Sequence, residues 1–169
     1  WLAKFFVDAG TGEAEAGRLL TLFTLSGMPA NFVAPLLFAL FRRRRRMAMA
    51  LMQVLPLAGM VGLLVAPLSA PVLWVVLLGV GQGCMIALGL TLIAVRGADA
   101  RVSAGLSGMC QSLGYLLSAS GPVTLGALYD VSGAWLIPMG LLMAITVVQA
   151  VSGVYAAEGA PVRADRDAS

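Results

Sequence analysis

Long apolar stretches separated by short polar ones dominate the chain. After a short opening stretch, five apolar segments follow, each about 20 residues or longer, which is enough to cross a hydrocarbon layer of roughly 30 Å. We predict five full membrane-spanning helices: residues 17–41, 47–66, 72–95, 102–128 and 135–157. Glycines and prolines inside these segments are typical of membrane helices. The pattern predicts an all-α membrane protein.

The two ends of the chain do not fit this pattern. A helix over residues 1–7 would be only about 11 Å long, so we expect this segment to be the end of a span whose beginning is missing. Residues 158–169 are polar, and we expect a disordered tail there. The expected organisation is a transmembrane bundle over residues 1–157, followed by that tail.

The composition supports a membrane environment and excludes several kinds of site. Apolar residues make up 60% of the chain and charged residues 11%, whereas globular chains are about 25% charged; the mean hydropathy is +0.93. There is no histidine and no paired-cysteine motif, so we expect no metal, no cofactor and no enzyme. The basic block Arg42–Arg46 has no interleaved aromatic residues, so we expect no nucleic-acid partner.

The distribution of basic residues predicts the orientation. Short connections make neighbouring spans antiparallel, so successive loops alternate between the two sides of the membrane. Nine of the eleven basic residues then fall on one side, including Arg42–Arg46, Arg96 and Arg101. The positive-inside rule places this side in the cytoplasm. We therefore predict a multi-pass protein of the cytoplasmic (inner) membrane with its C-terminal tail inside the cell.

The fourth predicted span carries small and polar residues on one helix face, within about 40° of one line. They are Ser107, Gln111, Gly114, Ser118 and Gly121. Tyr115 lies beside this row, and Pro122 deprives the carbonyl of Ser118 of its helical partner. The row predicts a cavity-lining helix with solute-facing Gln111, Tyr115, Ser107 and Ser118 and a hinge or gate at Gly121 and Pro122. The alternative is a packing surface between helices.

The first and third predicted spans carry fewer candidates. Thr24, Asn31 and Pro35 share a face in the first span, where they indicate either a cavity wall or contact between helices, with Pro35 a further hinge candidate. In the third span, Gly79 and Gly83 form a GxxxG pair that favours close helix packing. Gln82 between them could meet a solute or a neighbouring helix.

The second and fifth predicted spans are almost wholly apolar. Their only polar side chains near mid-span are Gln53, Thr146 and Gln149, which we expect to face lipid. No predicted span has a charged residue near its centre, whereas an intramembrane charge is the usual mark of a proton relay.

Four stretches of the sequence resemble the major facilitator superfamily, and within it the cyanate permease and nitroimidazole transporter family. They are FFVDAG, AGRLLTLFTLSGMPANFVAPLL, GVGQG and, most specifically, LSGMCQSLGYLLSASGPVTLGALYD, which occur in order over most of residues 5–130. The resemblance implies twelve spans in two six-helix halves. This chain would be the C-terminal half, from the end of the seventh span through the twelfth. Its first, third and fourth predicted full spans would flank the central cavity, and its second and fifth would be peripheral.

One loop departs from the family pattern. Facilitators often carry a Gly/Asp/Arg motif after the eighth span, where the Asp helps to latch the cytoplasmic gate. This chain has FALFRRRRRM there, without an Asp, and the arginines favour contact with anionic lipid.

These features together predict a secondary transporter that works by alternating access. The expected partners are a small-molecule substrate, a small anion such as cyanate or a polar neutral molecule, together with membrane lipid and the missing N-terminal half. A membrane enzyme would need acidic or histidine clusters at membrane depth. A structural or assembly subunit without a solute path is the other alternative, against which only the polar faces argue.

Overall fold

The computed structural model describes residues 1–41 and 44–157, so the predicted tail and Arg42 and Arg43 lie outside the described residues. The described part forms six helices and no strand. They are α1 (Leu2–Asp8), α2 (Glu13–Leu40), α3 (Arg45–Val65), α4 (Pro71–Arg96), α5 (Ala100–Ser132) and α6 (Leu136–Ala156).

Four of these helices, α2, α3, α4 and α6, are long and apolar enough to cross a membrane. Helix α5 is the longest at 33 residues, or about 50 Å, but its serines, glycines and Gln111 lower its hydropathy. Its membrane crossing therefore stays a prediction that rests on its length and position. The helical content and the four apolar helices confirm the predicted all-α membrane fold.

Helices α2 and α4 pack with their backbones in close approach, because glycines face each other at the contact. A Cβ atom on Gly27 of α2 would lie 2.9 Å from the carbonyl oxygen of Gly79 in α4. A Cβ on Gly79 would collide with the backbone of Phe23, and one on Gly83 with the backbone of Gly27. The packing role predicted for the GxxxG pair is confirmed, since only glycine leaves room for this contact.

The buried side chains form two clusters toward opposite ends of the bundle. One includes Phe38, Met49 and Leu88, with Ala157 at the end of α6. The other includes Phe6 together with residues of α2, α3, α4 and α6. At the first end, the guanidinium of Arg96 donates to the carbonyl oxygen of Ala156, which joins the C-termini of α4 and α6.

Two polar residues that the sequence predicts to face lipid lie inside the bundle instead. Gln53 is only 3% exposed and Thr146 only 7%, so the prediction is wrong for both. Helices α3 and α6 pack against each other, and the side-chain amide of Gln53 lies beside Gly153. A peripheral helix still turns one face to its neighbours, and a polar side chain on that face is kept out of lipid.

Candidate solute-facing surfaces and an internal cavity

The row of polar residues on α5 includes a direct contact. The side-chain amide of Gln111 donates to the hydroxyl of Ser107 at 2.5 Å, one helical turn away, and both residues are half-buried. This contact uses one of the two N–H donors of the amide, and it leaves the second donor and the carbonyl oxygen available. The shared face predicted for the two residues is therefore present, with Gln111 oriented by Ser107.

The side chains beyond Gln111, at Tyr115 and Ser118, are more exposed than those of Ser107 and Gln111. Tyr115 is 71% exposed, Ser118 is also exposed, and neither makes a hydrogen bond within the described part of the chain. Helix α5 is continuous through Gly121 and Pro122, so the hinge at these residues stays a prediction. Leu125 is the only buried residue on α5, which means that most of this helix has no packing partner among the described residues.

The candidates on α2 have different environments. The hydroxyl of Thr24 donates to the carbonyl oxygen of Leu20 at 3.1 Å, within its own helix, and the residue is exposed. Asn31 is half-buried, and its Oδ1 atom is buried without a hydrogen-bond partner among the described residues. Pro35 lies inside the helix without interrupting it. Asn31 is thus the candidate on α2 that buries a polar atom without a partner among the described residues.

An internal cavity of about 230 Å³, open to the surface on one side, brings together polar residues that the sequence separates. Gln82 of α4 and Thr146 and Gln149 of α6 line it, while its other lining residues are mainly aromatic and aliphatic, including Trp1 and Phe5. The hydroxyl of Thr146 donates to the carbonyl oxygen of Leu142 at 2.8 Å. Gln149 also borders this cavity, but it is exposed, so its lipid-facing position stays a prediction.

The structure therefore divides the predicted site residues into separate groups. Gln82 lines the cavity, whereas Gln111, Ser107, Asn31 and Thr24 do not. Sequence reasoning missed Thr146 and Gln149 because it treated the fifth span as peripheral. Their spacing of three residues, which places both on one helix face, was the available signal.

A second polar cluster joins α1 to the hairpin of α5 and α6. The carboxylate of Asp8 accepts hydrogen bonds from Lys4 at 2.7 Å, from the hydroxyl of Tyr129 at 2.9 Å and from the indole N–H of Trp135 at 2.9 Å. The ammonium of Lys4 lies 4.7 Å from the centre of the Tyr129 ring. The rings of Tyr129 and Trp135 lie 4.5 Å apart. These four residues form what we call the Asp8 cluster.

The environment of Asp8 favours its charged form. The hydrogen bond from Lys4 and then that from Trp135 hold the pKa of the Asp8 carboxyl below its ordinary value. Asp8 lies in FFVDAG and Tyr129 in the final GALYD of the longest motif. The sequence gives no sign that these two motifs meet, because 121 residues separate them.

Comparison with known proteins supplies relatives along most of the chain. It is 36% identical over 154 residues to the uncharacterized transporter YycB of Bacillus subtilis, covering 90% of this chain and 38% of that protein. It is 34% identical over 163 residues to the 2-nitroimidazole transporter of Escherichia coli, covering 96% of this chain and 41% of the relative. It is 29% identical over 136 residues to the E. coli cyanate transport protein CynX, covering 80% of this chain and 35% of the relative.

No family model matches the chain, and no solved structure matches it. The chain spans about 40% of the length of the two relatives that it matches over the longest stretches.

The apolar helices and these relatives define a multi-pass α-helical membrane protein. Within that class, its relatives are transporters of the major facilitator type, and the resemblance to cyanate and nitroimidazole transporters is confirmed.

Proposed function

We propose that this chain forms part of a secondary transporter that moves a small solute across the cytoplasmic membrane by alternating access. The observation that carries the proposal is the similarity to transporters over 90% and 96% of the chain. The relatives also point away from an enzyme. The proposed orientation places the arginine-rich loops and the C-terminal tail in the cytoplasm.

Large exposed apolar faces on α2 and α5 suggest that further helices pack against them in the membrane. Phe32 and Leu36 on α2 are 83% and 61% exposed, and Tyr115 on α5, beside the row of Gln111, is 71% exposed. We propose that the N-terminal half of the same transporter covers these faces, with the solute path between the halves. The row of Gln111 would then face the path, since a polar row at membrane depth needs protein, water or solute beside it.

The substrate we propose is a small anion or a small polar neutral molecule. The names of the relatives include cyanate, 2-nitroimidazole and anionic 4-hydroxybenzoate. An amide such as that of Gln111 offers both donors and acceptors, so it suits either kind of solute. The described helices have no charged residue near their centres, so these side chains would bind the solute by neutral hydrogen bonds.

An uptake assay tests the proposal. Cells expressing the complete gene that contains this segment should accumulate at least one small labelled solute, with cyanate, 2-nitroimidazole and 4-hydroxybenzoate as the first compounds to try. Cells with the empty vector provide the control. If the complete protein is made and inserted but moves none of a broad panel of small anions and neutral solutes, a structural subunit becomes the better interpretation.

A further inference from the structure

A groove on the outside of the bundle is separate from the surfaces described above. It lies between α3 and α6, has a volume of about 430 Å³, and is lined mainly by aliphatic side chains. Val54 of α3 and Val151 of α6 form part of its walls and are 55% and 51% exposed. Because both helices are apolar enough to cross a membrane, the groove would open toward the hydrocarbon of the bilayer.

One end of the groove is polar and positively charged. Arg46, in the first turn of α3, and Tyr155, in the last turn of α6, both line it. Arg46 continues the basic run of Arg44 and Arg45. Guanidinium groups bind phosphate through paired N–H donors, and a tyrosine hydroxyl can add a further hydrogen bond.

The length of the groove suits a lipid chain. Arg46, Ala50, Val54 and Leu57 follow one another along one face of α3 at spacings of three or four residues. Leu57 lies 11 residues after Arg46, which corresponds to about 16 Å along the helix axis. An extended acyl chain of a dozen or more carbons has a similar length, so headgroup and chain can bind at the same time.

We propose that this groove binds an anionic glycerophospholipid, with its phosphate at Arg46 and Tyr155 and one acyl chain between Val54 and Val151. The basic end lies on the side predicted to be cytoplasmic, where anionic lipids attract juxtamembrane arginines. The groove does not share lining residues with the internal cavity. Lipid binding here is therefore independent of the proposed solute path.

Native mass spectrometry of the purified chain in detergent tests this proposal. We expect phosphatidylglycerol to bind about tenfold more tightly than phosphatidylcholine with the same acyl chains, and Arg46→Gln to remove most of that preference. Arg101→Gln is the matched control, because Arg101 is an exposed arginine on the same predicted side that does not line the groove. It should leave the preference unchanged.

A second pair of variants tests the acyl site. Val54→Trp fills the groove and should weaken binding of both lipids severalfold, whereas Val33→Trp, at a similarly exposed valine of α2, should not. Circular dichroism verifies that each variant remains helical. Equal binding of the two lipids, equal losses for Arg46→Gln and Arg101→Gln, or full competition by millimolar inorganic phosphate would each overturn the proposal, the last by indicating a simple phosphate site.

Discussion

Gln111 is the side chain on which the proposed solute path depends most. Its amide is oriented by Ser107 but keeps hydrogen-bonding capacity for a solute. Replacing Gln111 with Leu should preserve the helix, since Leu is a good helix former and is favourable in lipid. In the complete transporter, uptake should fall about tenfold or more, because a solute group would lose a partner that contributes about 1–3 kcal/mol.

A control for this variant lies on the opposite face of the same helix. Ser120 is exposed and lies nine residues from Gln111, which places it about 180° around α5. Ser120→Leu should leave uptake nearly unchanged at equal expression. If Gln111→Leu transports as well as the parent protein, the polar row is a packing surface and the site assignment is wrong.

Gln53 offers a test of packing rather than transport. Both polar atoms of its amide are buried without a hydrogen-bond partner among the described residues. Gln53→Met removes these atoms at similar length, so the free energy of unfolding should rise by about 1 kcal/mol. Thermal unfolding in detergent, followed by circular dichroism, measures the change. Gln149→Met, at an exposed position, should have little effect, and a lower melting temperature for Gln53→Met would show that its amide has a partner.

The positions of the predicted polar residues show what the periodicity within one helix can establish. Periodicity correctly placed Ser107 and Gln111 on one face, because that relation lies within one helix. It failed for Gln53 and Thr146, because burial depends on which neighbour covers each face of the helix. The low polarity of a span indicates that most of it faces lipid, but it does not indicate where its few polar residues lie.

At the scale of helices, the Asp8 cluster is a polar contact between α1 and the hairpin of α5 and α6. The pKa of Asp8 is lower in the folded protein than its ordinary value of about 3.9, chiefly because Lys4 donates to it. The contact therefore stabilises the folded form above that value, and the stabilisation is lost as the pH falls through the lower pKa of the folded state.

We expect the fluorescence of Trp135 to report this loss. Its indole N–H donates to Asp8, so acidification below about pH 4 should change its emission in the parent protein. Asp8→Asn should remove the transition and give the low-pH spectrum at neutral pH. The variant Trp74→Phe reduces background emission from the indole of α4, which lies outside the cluster. An unchanged transition in Asp8→Asn would exclude Asp8 as the titrating group.

The sequence predicted helix contacts where a local motif encodes them and missed those formed between distant segments. The glycine pair of α4 predicts close packing, because two glycines four residues apart are recognisable in the sequence and leave room for a neighbouring backbone. Asp8 and Trp135 are 127 residues apart and carry no shared pattern. The polar row on α5 makes this helix a candidate for function. The same residues lower its hydropathy, so the sequence predicts its membrane span less clearly than those of the other long helices.

For the molecule as a whole, the distribution of arginines makes a clear prediction about topology. Reporter fusions after Arg46 and after Arg101 should be cytoplasmic, and fusions after Ser69 and after Ser132 should be external. Paired reporters, one active only inside the cell and one only outside, measure this directly. The opposite pattern, or all four fusions on one side, would contradict the proposed orientation. A cytoplasmic signal at Ser132 alone would show that α5 does not cross the membrane.

Transport in proteoliposomes tests the central claim most directly. The complete protein and this chain alone should be purified, reconstituted at equal density and assayed with a solute that the complete protein accumulates in cells. The complete protein should transport it, whereas this chain should insert but not transport, because the described residues leave the exposed faces of α2 and α5 uncovered. Transport by this chain alone, or none by a correctly inserted complete protein, would contradict the account.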